Sequence, residues 1–311
     1  MKKVSIIGAG HVGATCTYYI AEKNFADIVM IDVVEGMPQA KGMDFSQAAP
    51  LRQYGVTIRG SNDYREIADS DVVVITAGIP RKPGMDRMDL LRTNAEIVGT
   101  AARHTAAFAP NSTIVVVSNP LDIMCTVALE ASGFALKRVM GMAGILDSTR
   151  FRYFVAEKLG VAVTDVHAMV LGGHGDTMVP LPRFTTVAGI PITRLMSAEE
   201  VKAFSDRTRS GGAEIVSYLK TGSAFYAPAA STAEMVEAIV TNEKRIVPVA
   251  AYLRGEYGHE GIFLGVPVIL GSNGVEKIIE LDLTVDERAM LDQSVTAVKK
   301  GIENLRQLLQ A

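Results

Sequence analysis

The feature that most constrains the fold of this chain is a glycine-rich run directly after its first apolar segment. Residues 8–13 read G-A-G-H-V-G; they follow the β-branched run Val4–Ile7 and open a helical pattern over His11–Lys23. In such a turn the first glycine permits a tight bend, the second lets the backbone approach a pyrophosphate, and the third lets helix and strand pack closely. The helix N-terminus offers free N–H groups and a partial positive charge to phosphates. The pattern predicts dinucleotide contacts from Gly8, Ala9, Gly10, His11, Val12 and Gly13.

An acidic residue after the second apolar run strengthens this interpretation. Asp32 follows the run Ile28–Ile31 and lies 19 positions beyond Gly13. A carboxylate at that point accepts hydrogen bonds from the ribose hydroxyls of adenosine and repels a 2′-phosphate. The sequence therefore predicts NAD rather than NADP as the cofactor, against the alternative of a glycine-rich turn with an incidental aspartate.

The first half of the chain alternates short apolar runs with longer amphipathic stretches. Further runs occur at Val56–Arg59, Asp71–Thr76 and Thr113–Ser118. Runs that are apolar on both faces are typical of buried parallel strands. Strand and helix in alternation predict a doubly wound parallel sheet, an NAD-binding domain of the Rossmann type over residues 1–145. The helical patterns between the runs cover Glu35–Gln53 and Asp89–Phe108.

The second half has fewer strands and longer helices. Two strand-like runs, Arg245–Leu253 and Ile262–Leu270, are separated by a glycine-containing loop, which suggests a hairpin. We predict a mixed α+β domain over residues 146–311 that carries the substrate-binding and catalytic groups, with a site between the two domains. Its helical patterns cover Ser148–Leu159, Ala198–Lys220, Ala227–Asn242 and Asp286–Leu309.

Composition excludes several classes of protein. Lys and Arg number 31 and Asp and Glu number 34, a net charge of −3 that gives no reason to expect nucleic-acid binding. Apolar runs such as 113–117 are far shorter than the roughly 20 residues that span a bilayer, so no membrane association is predicted. The cysteines, Cys16 and Cys125, cannot form a disulfide framework, and no ligand spacing resembles a zinc site. We expect a cytoplasmic protein with a small-molecule substrate and no bound metal.

Polar clusters in both halves are candidates for chemistry, although each has a structural explanation by itself. His174 lies in L-G-G-H-G-D at 171–176, a context that suits proton transfer but also a surface loop. Asp147 and Arg150 are three residues apart at a predicted helix start, where they could pair with each other. Asn119 follows the fifth apolar run, where it could cap the next helix.

A basic loop follows the fourth apolar run. Residues 78–87 carry Arg81 and Arg87 between prolines and glycines. The carboxyl edge of a doubly wound sheet is where ligands bind, so this loop could act as a lid. A solvated basic loop is the alternative.

The order of these motifs resembles one family along nearly the whole chain. G-A-G-H-V-G, Asp32, the loop ending in Arg87, S-N-P-L-D at 118–122, L-D-S-T-R at 146–150 and G-G-H-G-D at 172–176 follow one another. This arrangement is similar to that of the lactate/malate dehydrogenase family, and it most resembles the bacterial branch of lactate-dehydrogenase-like malate enzymes.

The resemblance implies a role for each polar residue. His174 matches the proton donor and acceptor, and Asp147 matches the carboxylate that holds its imidazole. Arg150 matches the guanidinium that binds the C1 carboxylate of the substrate. Arg87 matches the lid arginine that polarises the reacting carbonyl, and Asn119 matches the residue where cofactor and substrate meet. Further cofactor contacts are implied for Asn94, Val117 and Asn119.

Two positions bear on the choice of substrate. Lactate-type members usually carry glutamine where this chain has Arg81, whose cation suits a second carboxylate. Ala224 resembles a position that is often threonine in lactate-type members, and its small side chain leaves room for a dicarboxylate. The resemblance thus implies NAD-dependent interconversion of (S)-malate and oxaloacetate, a place in the tricarboxylic acid cycle, and a homo-oligomer, with a tetramer favoured over a dimer.

Three alternatives remain open. One is a dehydrogenase of another 2-hydroxy acid such as lactate, against which Arg81 argues. Another is an NAD-using glycosidase, against which the lack of a metal-site spacing argues. The third is a non-catalytic NAD-binding protein, against which His174, Asp147 and Arg150 together argue.

Overall fold

A long central sheet organises the molecule. The computed structural model describes residues 2–79 and 87–310. The helices are α1 (His11–Lys23), α2 (Met37–Arg52), α3 (Arg87–Phe108), α4 (Leu121–Ser132), α5 (Gly144–Leu159), α6 (Ala198–Leu219), α7 (Tyr226–Val240) and α8 (Val285–Gln310). The strands are β1 (Lys2–Ile7), β2 (Ala26–Ile31), β3 (Ile58–Ser61), β4 (Val72–Ile75), β5 (Thr113–Val116), β6 (Val139–Gly141), β7 (Val166–His167), β8 (Val170–Leu171), β9 (Val179–Pro180), β10 (Thr186–Val187), β11 (Ile190–Pro191), β12 (Arg245–Arg254), β13 (Glu260–Gly271) and β14 (Gly274–Ile278).

The first six strands form the parallel part of the central sheet. Their order is β3-β2-β1-β4-β5-β6, and every neighbouring pair is parallel. Strands β4 and β5 are buried along their whole length, because helices cover both faces. The predicted doubly wound sheet is confirmed, and the predicted helix His11–Lys23 coincides with α1. Strand β3 begins at Ile58 rather than Val56, because the Thr57 N–H donates to the Asp27 carboxylate instead of to the sheet.

The chain order reverses beside the pair β1 and β4. Strand β2 follows on the outer side of β1, whereas β5 follows on the outer side of β4. Loops that leave such a pair diverge and open a crevice at the carboxyl ends of the strands, which is where open α/β sheets bind ligands. Gly8 directly follows β1 and Thr76 directly follows β4. The topology therefore places the glycine-rich turn at this crevice.

The strands of the second half extend the same sheet. Strand β12 lies antiparallel to β6 through the pair Ala250 and Gly141, and β13 and β14 continue antiparallel beyond it. The predicted hairpin is confirmed, but its attachment to the first half was not predicted, because an apolar run does not show which strand edge it joins. One core spans both halves, with Val4 and Phe263 both fully buried in it. The domain division at residue 145 stays a prediction.

Two small antiparallel sheets complete the second half. Strands β7, β10 and β11 form one, and β8 and β9 form the other. The neighbouring strands β7 and β8 thus belong to different sheets. Strands β8 and β9 bracket residues 172–178, so this short hairpin carries the G-G-H-G-D segment. Within the described ranges, no helix combines the length and the apolar character needed to cross a membrane.

Candidate active site

Two glycines of the first turn are required by close packing. Gly8 has φ +106°, and a Cβ on it would lie 2.7 Å from the backbone nitrogen of Ala77. A Cβ on Gly13 would lie 1.9 Å from the carbonyl oxygen of Gly8. No side chain fits at either position, so the turn brings α1 directly against the end of β1.

The start of α1 is suited to a pyrophosphate. Gly10 is the N-cap of α1; no side chain caps the helix, and its first turn holds no acidic residue. A Cβ built on Gly10 meets nothing within 4 Å, so the turn is open on the side to which a side chain here would point. Uncapped N–H groups at a helix start bind anions. The residues present therefore fit the phosphates of a dinucleotide.

Asp32 holds the second residue of the turn and keeps capacity for a ligand. Its Oδ2 accepts a hydrogen bond of 2.7 Å from the Ala9 N–H, and its Oδ1 accepts one of 3.0 Å from the Val34 N–H. A carboxylate offers about four lone-pair positions, so ribose hydroxyls can still donate to it. Lys41, which the sequence did not single out, donates from Nζ to the Ala9 carbonyl at 2.5 Å. Ala9 is thus held from both sides.

Asn94 joins the loops that follow β4 and β5. Its Oδ1 accepts from the Ile79 N–H at 2.8 Å, and its Nδ2 donates to the Asn119 carbonyl at 2.8 Å. Asn119 itself is exposed, and its peptide bond to Pro120 is cis. The N-cap of α4 is Pro120 without a side-chain hydrogen bond, so helix capping by Asn119 is not observed. Val117 is buried close by in the sequence. The cofactor contacts of Asn94, Val117 and Asn119 stay predictions.

His174 and Asp147 form a buried pair. The Nδ1 of His174 lies 2.9 Å from Oδ2 of Asp147, and their side chains are 15% and 2% exposed. Helix α5 carries Asp147 in its first turn, and the loop between β8 and β9 carries His174. The alternative of a surface-loop histidine does not hold, because long-range contacts enclose the ring.

The electrostatics of this pair favour the protonated imidazole. Burial lowers the pKa of His174, but the charge of Asp147, its hydrogen bond to the ring and the charge of Asp122 outweigh burial, so the pKa lies above its usual range. Arg150 acts in the opposite direction to the two carboxylates. A raised pKa favours the protonated ring, and a histidine of this kind can hold a proton and return it to a base.

Two residues that sequence reasoning missed anchor the backbone of the catalytic turn. Oδ2 of Asp122 accepts from the His174 N–H at 2.8 Å, and Oγ of Ser294 accepts from the Gly173 N–H at 2.8 Å. Asp122 was visible in the S-N-P-L-D motif without a role. Ser294 lies 120 residues after His174 in a helix of ordinary composition, so no local signal points to it.

The guanidinium of Arg150 lies beside the same pair, and part of its hydrogen-bonding capacity is unused. Its Nη1 lies 3.4 Å from Oδ1 of Asp147, and its Nε is buried with no partner among the described residues. Burial lowers the pKa of Arg150, and the charge of Asp147 partly opposes this. A guanidinium whose donors are only partly used can bind a carboxylate through two parallel hydrogen bonds.

The structure describes the remaining predicted residues only in part. Arg81 lies outside the described residues, and so does the side chain of Arg87, whose backbone begins α3. Ala224 is half-buried in the loop between α6 and α7. The next residue, Phe225, stacks on His11 with ring centroids 5.0 Å apart, so this loop adjoins the start of α1.

The fold and site together define an NAD-binding oxidoreductase with a histidine–aspartate pair. Residues 2–141 match the lactate/malate dehydrogenase NAD binding domain, and residues 145–308 match the lactate/malate dehydrogenase alpha/beta C-terminal domain. The chain belongs to the lactate/malate dehydrogenase family. The predictions of this family and of NAD as cofactor are confirmed.

Curated relatives agree over almost the entire chain. The malate dehydrogenase of Heliobacterium modesticaldum is 56% identical over 301 residues, which cover 97% of both chains. The malate dehydrogenase of Thermomicrobium roseum is 56% identical over 307 residues, covering 99% of both. These relatives bear out the prediction of an NAD-dependent malate dehydrogenase as the enzyme class.

Solved structures of both substrate types share the fold. Malate dehydrogenase from Salinibacter ruber superposes with a TM-score of 0.95 at 50% identity, covering 99% of both chains. Lactate dehydrogenase from Cryptosporidium parvum in complex with lactic acid and NAD gives the same TM-score, 0.95, at 40% identity and 98% coverage of both. Backbone shape therefore does not separate the two activities, and the choice of substrate depends on side chains.

Proposed function

We propose that this chain catalyses the reversible, NAD-dependent oxidation of (S)-malate to oxaloacetate, with His174 as the proton acceptor and donor. The observation that carries the mechanism is the 2.9 Å contact of His174 with buried Asp147, beside the guanidinium of Arg150. Proton transfer must accompany removal of hydride from a 2-hydroxy acid, because the hydroxyl becomes a carbonyl. NAD, when bound, accepts the hydride.

His174 takes the hydroxyl proton of malate at the ring nitrogen remote from Asp147. Asp147 occupies Nδ1, which leaves Nε2 for the substrate. The carboxylate stabilises the imidazolium that forms and fixes its orientation, as in other His–Asp pairs. In the reductive direction the same nitrogen returns the proton to the carbonyl oxygen of oxaloacetate.

Arg150 orients the substrate by binding its C1 carboxylate. Its buried, incompletely bonded guanidinium gains a charge-assisted pair of hydrogen bonds when the carboxylate arrives. We assign Arg87 to polarising the reacting carbonyl and Asn119 to contacting both substrate and cofactor. Ala224, beside the stacked ring of Phe225, leaves space for the longer dicarboxylate.

Arg81 binds the second carboxylate of the substrate and so selects dicarboxylates. With pyruvate in a closed site this cation would be desolvated without a partner, which costs about 3–5 kcal/mol. At 1.4 kcal/mol per factor of ten, this corresponds to roughly a hundred- to several-thousand-fold discrimination against monocarboxylates.

The deciding experiment measures NADH oxidation at 340 nm with oxaloacetate and with pyruvate, repeated with NADPH. We expect oxaloacetate with NADH to be strongly preferred. Faster reaction with pyruvate would make this a lactate-type enzyme, and a requirement for added manganese would favour a glycosidase. Tight NAD binding without turnover of either 2-oxo acid would indicate a regulatory protein.

The variant Arg81→Gln isolates the specificity step. It should lower kcat/KM for oxaloacetate and raise kcat/KM for pyruvate, because one carboxylate loses its partner and the unpaired charge is removed. Arg65→Gln, at an exposed arginine that pairs with Asp63, is the matched control. An unchanged preference in Arg81→Gln would assign the second carboxylate to another residue.

We also propose a homotetramer, a cytoplasmic location and a place in the tricarboxylic acid cycle. The family resemblance supports all three. Cys16 and Cys125 are both free and buried, as expected of a chain in a reducing compartment. Light scattering of the purified protein measures the assembly directly, and a dimer would correct the first of these proposals.

A further inference from the structure

Asp122 is a buried carboxyl group for which the mechanism above has no role. It lies in the first turn of α4 and is 5% exposed. Its Oδ2 accepts from the His174 N–H at 2.8 Å, while its Oδ1 is buried and has no hydrogen-bond partner in the part of the chain that the structure describes. Burying a carboxylate with one backbone hydrogen bond is unfavourable unless another charge compensates it.

The neighbouring anchor shows that holding the backbone does not require a charge. Ser294 accepts from the Gly173 N–H at 2.8 Å with a neutral hydroxyl, and Thr177 lies 3.1 Å from the same oxygen. The negative charge of Asp122 is therefore not needed merely to hold the backbone of the turn.

Among the described residues, the surroundings of Asp122 leave one group to compensate its charge. Asp147, on α5, is of like charge and raises the pKa of Asp122. Cys125, on α4 itself, stays a neutral thiol, because burial and then the charge of Asp122 raise its pKa. Arg150, also on α5, contacts Asp147. The remaining group is His174, whose backbone and charge both favour the ionised form of Asp122.

We propose that Asp122 is a positioning residue for proton transfer: it fixes the backbone of His174 and supplies a second negative charge that stabilises the imidazolium alongside Asp147. This inference rests on the proposed function, because it assigns Asp122 a part in the proton transfer of His174. Each carboxylate acts at a different point, since Asp147 binds the ring and Asp122 binds the main chain.

The close approach of Asp122 also explains the residue before His174. A Cβ on Gly173 would lie 3.2 Å from Oδ2 of Asp122 and 2.7 Å from Cγ2 of Val298. Glycine at this position gives the carboxylate room beside the turn.

Burial raises the pKa of Asp122 to about 6, and His174 opposes that rise. The support that Asp122 gives to the imidazolium is therefore lost as the pH falls below this range.

The test compares Asp122→Asn with Ser294→Ala. The asparagine keeps an acceptor for the His174 N–H but removes the charge, whereas the alanine removes a neutral anchor of the same turn. The readout is the pH profile of kcat/KM for malate oxidation, whose acidic limb reports the free-enzyme pKa of the base. We expect Asp122→Asn to move this limb by about one unit to lower pH. Ser294→Ala should reduce kcat without moving the limb.

A second variant and a second readout keep the test decisive. Asp122→Ala, which places no new donor in the buried site, should move the limb in the same direction and lower kcat further, because the backbone contact is also lost. A 13C-edited NMR titration of His174 does not depend on catalytic turnover. The resonance of His174 is assigned by its absence from the spectrum of His174→Asn. The titration should show the same fall in pKa in both Asp122 variants.

The outcomes separate this inference from the proposed function. An unchanged His174 titration in Asp122→Asn and Asp122→Ala would overturn the role of Asp122 and leave malate oxidation standing. A shifted titration in a protein that does not turn over malate would support the electrostatic role and overturn the proposed function. An equal shift in Ser294→Ala would show that anchoring, not charge, sets the pKa, and would overturn the inference.

Discussion

The molecule uses two glycine-rich turns, and they differ in the purpose that their glycines serve. The cofactor turn at 8–13 is shaped by backbone packing: Gly8 and Gly13 leave no room for a side chain. The catalytic turn at 172–176 is held by side chains from three helices: α4 contributes Asp122, α5 contributes Asp147 and α8 contributes Ser294.

The difference shows that glycine serves two distinct purposes in one site. In the first turn the absence of a capping side chain leaves amides at the helix start free to bind an anion such as a phosphate. In the second turn glycine makes room for side chains from other elements, and this turn carries His174, the proposed proton acceptor and donor. Damage to the first turn should therefore appear in packing and cofactor affinity, whereas damage to the second should appear in turnover.

The largest effect should come from His174→Asn. We expect kcat to fall about 1,000-fold, the usual contribution of general acid–base catalysis, with NADH affinity nearly unchanged. Initial rates and NADH fluorescence titration measure the two quantities. His167→Asn, at an exposed histidine on β7, is the control and should leave both unchanged. A parallel loss of NADH binding in His174→Asn would mean that the two turns are not separable.

The next largest effect concerns the cofactor turn. Gly13→Ala should lower the free energy of unfolding by about 3 kcal/mol, because its Cβ would overlap the carbonyl of Gly8. Gly10→Ala is the matched variant: its Cβ meets open space, so stability should be retained while NADH binding weakens. Denaturant unfolding and NADH titration distinguish them. Equal destabilisation by both substitutions would refute the packing argument.

A smaller effect is expected from Asp32→Asn. The amide keeps an acceptor for the Ala9 N–H but no longer repels a 2′-phosphate, so the preference for NADH over NADPH should fall by about tenfold, or 1.4 kcal/mol. Parallel kcat/KM measurements with the two cofactors give this ratio. A preference that stays as high as in the parent protein would place cofactor selection elsewhere, with Lys41 the first residue to examine.

The smallest effect is a displacement of the pH profile. Because the pKa of His174 lies above its usual value, malate oxidation, which needs the neutral ring, should rise only above pH 6.5. Oxaloacetate reduction needs the protonated ring and should decline over the same range. Profiles of kcat/KM in both directions test the sign. A limb for malate oxidation below pH 6.5 would show that burial dominates over the two carboxylates.

The sequence predicted the parallel part of the sheet and the cofactor turn because both follow from local patterns. Apolar runs between helical stretches specify buried strands, and the spacing from Gly8 to Asp32 lies within a single strand–helix–strand unit. The pairing of His174 with Asp147 came from the family resemblance alone. The partners of His174 lie 27 and 52 residues away, and Ser294 lies 121 residues from its partner Gly173, distances over which residue spacing carries no information.

The attachment of the second half was equally beyond local patterns. The run Arg245–Leu253 indicates a strand, but nothing in it specifies β6 as the neighbour. The roles of Lys41, Asp122 and Ser294 were missed for the same reason, since each acts through a backbone group that any residue possesses.

The junction between the two halves has a consequence for exchanging parts between relatives. Strand β6 meets β12 at Gly141 and Ala250, and a Cβ on Gly141 would lie 2.5 Å from Sγ of Cys125 and 3.1 Å from Cβ of Ala250. The join tolerates almost no added volume on either side. A chimaera that takes its N-terminal half from one relative and its C-terminal half from another should therefore fold well only if the residues at positions 141 and 250 are both kept small.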